Sequence, residues 1–437
     1  MPSRILFVAL VNDVGGERLP AAMGALGAMC ATLSPPGFYC AETRHVRRRF
    51  TLPRHRKMWL ALPFLRSRLE QAVRDWDAEI VIPLDEISAG LLRGLVQDRS
   101  VTARLLALLE TSLGAPSGYD AACTRAGLMQ LAAAQGVHVP AFRVTDDADD
   151  MVAAAVAWGY PAVLKTDNSC GGHGVTIAHS AADLHGAVAR LQDRSMRRRV
   201  RLASRSMIWR TALRPKATHS LPVLQAFTMG KPAMRTVSAW QGRVLEGVSF
   251  VAERTHPGPT GPSTMVRHIE NAEMQSAVEK LVAALGCSGF VSFDFILDEA
   301  TGRASLIEMN PRPIATTSLG ALFGHDPCAA LLDHLSGQTA ARVEADPAMP
   351  RCVALFPKEI ERDPTRLDRL WAPTIHHDVP HDDPPVIAAY LRRLSLIHPG
   401  SIRAIARALS VALPSDGVAS QRPEREPKRT TMAAQAR

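Results

Sequence analysis

The sequence has no disulfide framework, no long apolar run, and none of the short motifs that usually declare a nucleotide-binding or hydrolytic protein. Its seven cysteines (Cys30, Cys40, Cys123, Cys170, Cys287, Cys328 and Cys352) are odd in number, scattered and never in a CxxC pair. That argues for a reducing compartment and against disulfide staples or a structural zinc. No window reaches the length of a membrane-spanning helix. The first apolar run, residues 5–11, lacks the charged start and cleavage site of a signal peptide, so it reads as a first strand and the cytoplasm is the expected location. There is no GxxxxGK[ST], no GxGxxG opening a helix and no HExxH. His376, His377 and His381 sit in a Pro/Asp-rich stretch that reads as surface loop. Aromatic residues are scarce around the two arginine clusters, 44–57 and 194–214, and no nucleic-acid module is present. The net charge of +9 therefore reads as solvated arginine faces that attract phosphorylated or carboxylate substrates.

What is present is length for two or three folding units, an ordinary 46% apolar content, and two informative segments. The first runs from Gly289 to Arg312, GFVSFDFILDEATGRASLIEMNPR. Residues 290–297 and 304–310 read as two strands around an Asp/Glu/Thr/Gly turn. Paired about Thr301, they set Asp294 opposite Glu308, with Ser292 and Asn310 on the same face. Val291, Phe293, Phe295, Leu297, Ile307 and Met309 then point to the other, apolar face. Opposed carboxylates repel unless a cation lies between them, and hard divalent cations take the oxygens that Asp, Glu and Asn supply. Arg312 adds a fixed charge beside that site.

The second segment is 160–165, a short buried strand ending in Lys165, followed by the glycine-rich loop 166–175. Such a loop lets backbone N–H groups approach phosphate oxygens, with Lys165 as a point charge.

Together these segments resemble the ATP-grasp superfamily, in its carbamoyl-phosphate-synthase-like and biotin-carboxylase-like branch, over roughly residues 1 to 340. The resemblance implies an α/β chain, α+β in its nucleotide lobes, with an ATP-grasp fold behind an N-terminal Rossmann-like domain. It implies Asp294, Glu308 and Asn310 as ligands of Mg²⁺, or of Mn²⁺ in its place, and Arg312 as the arginine on the transferred phosphate or the substrate. ATP would be bound by Lys165, by Gly171, Gly172 and Gly174 of the loop, and by Gln225, Ala226 and Phe227 of the adenine hinge. Two positions depart from the family pattern. Thr124-Arg125 replaces the usual Asp-Lys, and Arg125 keeps the charge on phosphate. Pro232 stands where a ribose-binding glutamate is common.

The expected organisation is an N-terminal α/β domain over 1–113 and the ATP-grasp domain over 114–345, with a small lobe at about 151–222 and a large lobe at about 223–345. An extension covers 346–413, and a disordered tail, poor in large apolar residues, covers 414–437. Residues 20–33, 66–77 and 119–135 read as helices, and the arginine-rich stretch near 44–57 as a connection. Residues 386–413 read as one or two basic amphipathic helices, packed on the body or docked to a membrane surface. The implied activity is ATP-dependent carboxylate–amine or carboxylate–thiol ligation through an acyl phosphate, releasing ADP and phosphate. The partners would be a small carboxylate and a nucleophile such as an amino acid or amine, with no nucleic acid and no integral membrane segment, and with room for a homodimer. The alternatives are a bicarbonate-activating carboxylase or carbamoyl-phosphate-type subunit, and a nucleotide-binding module without catalysis.

Overall fold

The computed structural model describes residues 2–12, 14–53, 62–97, 101–166, 174–192, 221–339, 346–365, 367 and 372–410. The 414–437 tail, the 194–214 arginine cluster, Arg54, Arg56 and Lys57, and loop residues 167–173 with Cys170, Gly171 and Gly172 lie outside the described residues.

The chain opens with β1 (Arg4–Val8), α1 (Leu19–Ala25), β2 (Met29–Ser34), α2 (Tyr39–Glu42), β3 (Val46–Thr51), α3 (Leu62–Trp76), β4 (Ile80–Pro83), α4 (Glu86–Gln97) and α5 (Ala103–Leu113). The four strands form a parallel sheet in the order β3-β2-β1-β4. β1 and β4 are apolar almost throughout because both faces of a parallel sheet are covered. Two expectations fail here. Residues 20–33 are not one helix: α1 ends, Gly27 takes φ +94°, and β2 follows as a buried central strand. Six residues, four of them apolar, after a single turn carry too few periods to separate strand from helix. The arginine-rich stretch is likewise not only a connection. Val46–Thr51 is an edge strand whose exposed Arg47, Arg48 and Arg49 discourage pairing with another chain.

Next come α6 (Tyr119–Cys123), α7 (Arg125–Ala134), β5 (Phe142–Val144), α8 (Ala148–Trp158), β6 (Ala162–Lys165), β7 (Val175–Ala178), α9 (Ala181–Gln192) and β8 (Val223–Ala226). The strands form an antiparallel sheet in the order β5-β8-β6-β7. The expected 119–135 helix is two helices. Thr124 leaves helical geometry at φ −129°, ψ 138°, and its hydroxyl accepts from Gly127 N at 3.2 Å, capping α7.

The largest sheet collects β9 (Lys231–Trp240), β10 (Arg243–Thr255), β11 (Ser263–Ile269), β12 (Gly289–Leu297) and β13 (Ala304–Asn310), with α10 (Ala272–Leu285) preceding β12 and α11 (Pro327–Ser336) following β13. Asn271 caps α10, accepting from Met274 N at 2.8 Å, and Gly286 ends it at φ +62°. The apolar stripe Met274, Val278, Leu281 and Leu285 packs on Phe293 and Phe295 of β12. β14 (Cys352–Ala354) and β15 (Ile375–His377) extend this sheet to the order β13-β12-β9-β10-β11-β14-β15, with α12 (Lys358–Arg362) between them.

The extension finishes with α13 (Pro384–Ile397) and α14 (Ile402–Ala408), broken around Pro399-Gly400. Their apolar residues Val386, Tyr390, Leu394 and Ile405 are buried in one cluster with Val14 and Tyr39 of the N-terminal domain. Packing on the body, not a membrane surface, therefore covers those faces. Tyr390 also donates to the buried Glu17 carboxylate, and Arg18 pairs with Asp378 at 3.1 Å.

Candidate functional site

β12 and β13 pair with Asp294 opposite Glu308 and Ser292 opposite Asn310. The ladder slips by one residue immediately after Asp294, so that Phe295 faces Leu306. This bulge corrects the expected apolar face. Leu306 enters the core, fully buried, and Ile307 leaves it. The unpaired Ile307 carbonyl accepts from Lys165 Nζ at 3.3 Å. The bulge thus turns a ladder position toward the β5-β8-β6-β7 sheet, and Lys165, at the end of β6, reaches it.

Lys165 is only 6% exposed, and burial is the first cause that lowers its pKa to about 8; nearby Arg125 adds to the lowering, while Glu308 and Asp294 oppose it. Arg125 stands at the first position of α7, where the Thr124 cap aims it at the hairpin. Its Nη2 donates to Glu308 Oε1 at 2.9 Å, and its Nη1 donates to the Thr166 carbonyl. Asp294 is pushed up to about 7, first by burial and then by Glu308, with the Asn310 amide, which donates to its Oδ2 at 3.0 Å, pulling the other way. The cluster therefore holds two acids and two cations within direct contact or Coulomb range, where α7 and β6 meet the β12–β13 hairpin.

The other expected residues are distributed around it. Arg312 Nε lies 3.6 Å from Glu86 Oε2, at the start of α4, and its Nη1 donates to the Pro313 carbonyl at 3.1 Å. Gly174 closes the base of the glycine-rich loop, its carbonyl accepting from Thr166 N at 3.0 Å. Gln225 is buried and donates to Met129 Sδ at 3.0 Å, so its side chain supports α7. The Ala226 N–H donates to Ala141 O at 2.8 Å and is committed to the sheet, while Phe227 just beyond is 39% exposed. Pro232 sits in β9 opposite Ile296.

Sequence reasoning missed the contribution of the N-terminal domain. Arg93 of α4, 2% exposed, donates to Pro311 O at 3.2 Å and lies over the Tyr119 ring. Gly16 approaches Pro313 so closely that a Cβ there would stand 3.1 Å from its ring. Asp85, at the end of β4, accepts from Leu10 N at 2.7 Å and Ser88 N at 2.8 Å, fixing the strand end beside Glu86. The sequence does carry a local signal here, since the apolar run 80–84 ends in Asp85 and Glu86, at the kind of strand end where open parallel sheets place ligands.

The donor set fits a hard divalent cation. Asp294 and Glu308 supply carboxylate oxygens, and Asn310, whose amide nitrogen faces Asp294, has its carbonyl oxygen to give. A cation between the acids would offset both the burial and the Glu308 repulsion that raise Asp294.

Comparison with known proteins bears on the same segments. A family model described as "ATP-grasp domain" matches residues 215–316, and one described as "Carbamoyl-phosphate synthase L chain, ATP binding domain" matches residues 125–206. The carbamoyl phosphate synthase large chain of Thermotoga petrophila is 24% identical over 254 residues, which cover 54% of this chain and 21% of the relative. The chain thus spans about a fifth of the length of the curated relatives it matches. Among solved structures, the biotin carboxylase domain of Hydrogenobacter thermophilus 2-oxoglutarate carboxylase superposes with TM-score 0.53 at 15% identity, covering 79% of this chain and 72% of that one. Biotin carboxylase from Campylobacter jejuni gives 0.53 at 13% identity, covering 78% and 72%.

Proposed function

We propose that this chain, which has the ATP-grasp fold of the carbamoyl-phosphate-synthase-like and biotin-carboxylase-like branch, is an ATP-dependent ligase that joins a small carboxylate to an amine or thiol. The observation that carries the reading is the opposed pair Asp294 and Glu308 with Lys165 and Arg125 converging on it across the lobes. Asp294, Glu308 and Asn310 would hold Mg²⁺ or Mn²⁺, which when bound neutralises charge on the phosphates. Lys165 and Arg125 would bind the phosphate chain from the other side, with the glycine-rich loop, and Gln225, Ala226 and Phe227 would border the adenine.

In the first step a substrate carboxylate oxygen attacks the γ-phosphorus. The bond from γ-phosphorus to the bridging oxygen breaks, and ADP leaves with the electron pair. Arg312, held near Glu86, would stabilise the charge that builds on the transferred group. In the second step the nucleophile attacks the acyl carbon, the C–O bond to phosphate breaks, and phosphate leaves as the nucleophile loses its proton. The sequence match to carbamoyl phosphate synthase large chains favours a second reading in which the acid is bicarbonate.

The test is ADP release from Mg-ATP across a panel of amino acids, small carboxylates and bicarbonate, with hydroxylamine present to trap acyl phosphates as hydroxamates. Acid-dependent ADP and a hydroxamate are expected; bicarbonate-dependent ADP alone selects the second reading. ATP binding with no ADP from any acid would leave a nucleotide-binding module and reject the ligase.

A further inference from the structure

A second group of ligating side chains lies in the same large sheet. The register runs Asp294 to Met234 to Phe250 to His268 across β12, β9, β10 and β11. His268 therefore shares a face and a cross-strand row with Asp294, about 14 Å away at the usual strand spacing. Its ring stacks on Phe323 at 4.4 Å and 9° and meets Phe250 edge-on at 5.8 Å. The residue is 8% exposed, and among the described residues its Nε2 has no hydrogen-bond partner. Glu270 Oε1 is 3.2 Å from that nitrogen, close enough for charge contact but out of line for a hydrogen bond. His325 Nε2 is also 3.2 Å from the same oxygen.

Local structure holds all three in place. Glu270 immediately precedes the Asn271 cap of α10. His325 follows a tight turn in which its N–H donates to Gly320 O at 3.0 Å, a turn that a Cβ at position 320 would block. Asp326 then caps α11. His325 Nδ1 lies 3.4 Å from Glu246 Oε1, a contact that favours a proton on Nδ1 and a lone pair on Nε2.

We infer that His268, Glu270 and His325 form a Zn²⁺-type site, with Glu246 positioning His325. All three ligand atoms lie within 4.8 Å of one another, and two of the three pairs are 3.2 Å apart. Tetrahedral zinc at its normal bond lengths sets ligand atoms about 3.4 Å apart, so only small side-chain adjustments are needed. Two imidazoles and one carboxylate suit a borderline transition ion rather than Mg²⁺. A bound ion also gives the buried His268 nitrogen the partner it lacks. Glu270 is 66% exposed and His325 37%, which leaves the fourth position facing solvent. Cysteine spacing could not announce this site, because its ligands are separated in sequence and contain no sulfur. By tying the β11–α10 junction to the start of α11, the ion would brace the large lobe.

The test uses the full chain, stripped with chelator and held in millimolar Mg²⁺ so that hard-oxygen sites are filled. Zn²⁺ is titrated against a chromophoric chelator, with Co²⁺ absorption as a geometry probe. One equivalent of Zn²⁺ and a tetrahedral Co²⁺ spectrum are expected. His325→Ala should weaken Zn²⁺ binding by more than tenfold, Glu246→Gln by 10- to 100-fold, and Glu308→Gln not at all. Zn²⁺ should raise the melting temperature of the wild type and not of His325→Ala, whose metal-free melting stays close to wild type. Absence of binding at micromolar Zn²⁺, or binding unchanged in both His325→Ala and Glu246→Gln, would overturn the site.

Discussion

Asp294→Asn should make the ligand-free protein more stable at pH 8 while destroying its use of Mg-ATP. In the folded chain Asp294 is raised from the ordinary 3.8 to about 7, first by burial and then by Glu308. A group that binds protons more tightly in the folded state destabilises the fold once it ionises. The penalty is absent below about pH 3.8, grows between 3.8 and 7, and is complete above 7. A rise of that size corresponds to roughly 4 kcal/mol, an upper bound because Asp294 is half-buried and part of its side chain keeps contact with water. The amide variant keeps the shape without the charge, so a gain of about 1–3 kcal/mol at pH 8 is expected, fading to nothing near pH 4. Thermal unfolding of both proteins across that range, with and without Mg-ATP, provides the assay. Mg-ATP should raise the melting temperature of the wild type above pH 7 and leave the variant unmoved. A variant less stable than wild type at pH 8 without ligand would refute the reasoning, since Asp294 would then be stabilising on its own.

Glu308→Gln should abolish turnover with the fold intact, because the side chain is partly exposed and loses a charge rather than volume; wild-type turnover at saturating Mg²⁺ would rule it out as a ligand. Lys165, lowered to about 8, is charged below that pH and loses its proton above it, so ATP affinity should fall as pH rises through 8, and Lys165→Met should flatten the profile in a calorimetric titration. Arg93→Met removes the donor to the buried Pro311 carbonyl and should cost about 1–3 kcal/mol in denaturant unfolding, with a lower kcat from a looser Arg312.

The β12–β13 hairpin was the most legible part of the chain. Strict alternation around Asp294 and a short polar turn fix the pairing of Asp294 with Glu308. The bulge that exchanges Leu306 for Ile307 was not legible, since both are apolar and a one-residue slip leaves no mark in composition. Lys165 was visible as the polar end of a short apolar strand, but its contact with a bulged carbonyl follows only from the slip. Arg93 and Glu86 were hidden for a different reason. Their partners, Pro311 and Arg312, lie more than two hundred positions away, and no local pattern encodes such a contact. β2 was missed because MCATLS mixes buried Thr32 and Ser34 with apolar residues and so shows no strand alternation, and β3 because half of its six residues are arginine.

The central claim is that a carboxylate takes the γ-phosphoryl group of ATP, and oxygen transfer tests it most directly. With the substrate acid identified by ADP release and labelled with ¹⁸O in its carboxylate, the reaction is run to completion with Mg-ATP and nucleophile. The phosphate released should carry one ¹⁸O per turnover, read by mass or by the ³¹P isotope shift, with ADP as the other product. Label appearing in AMP, with pyrophosphate released, would place the attack at the α-phosphorus and contradict the account.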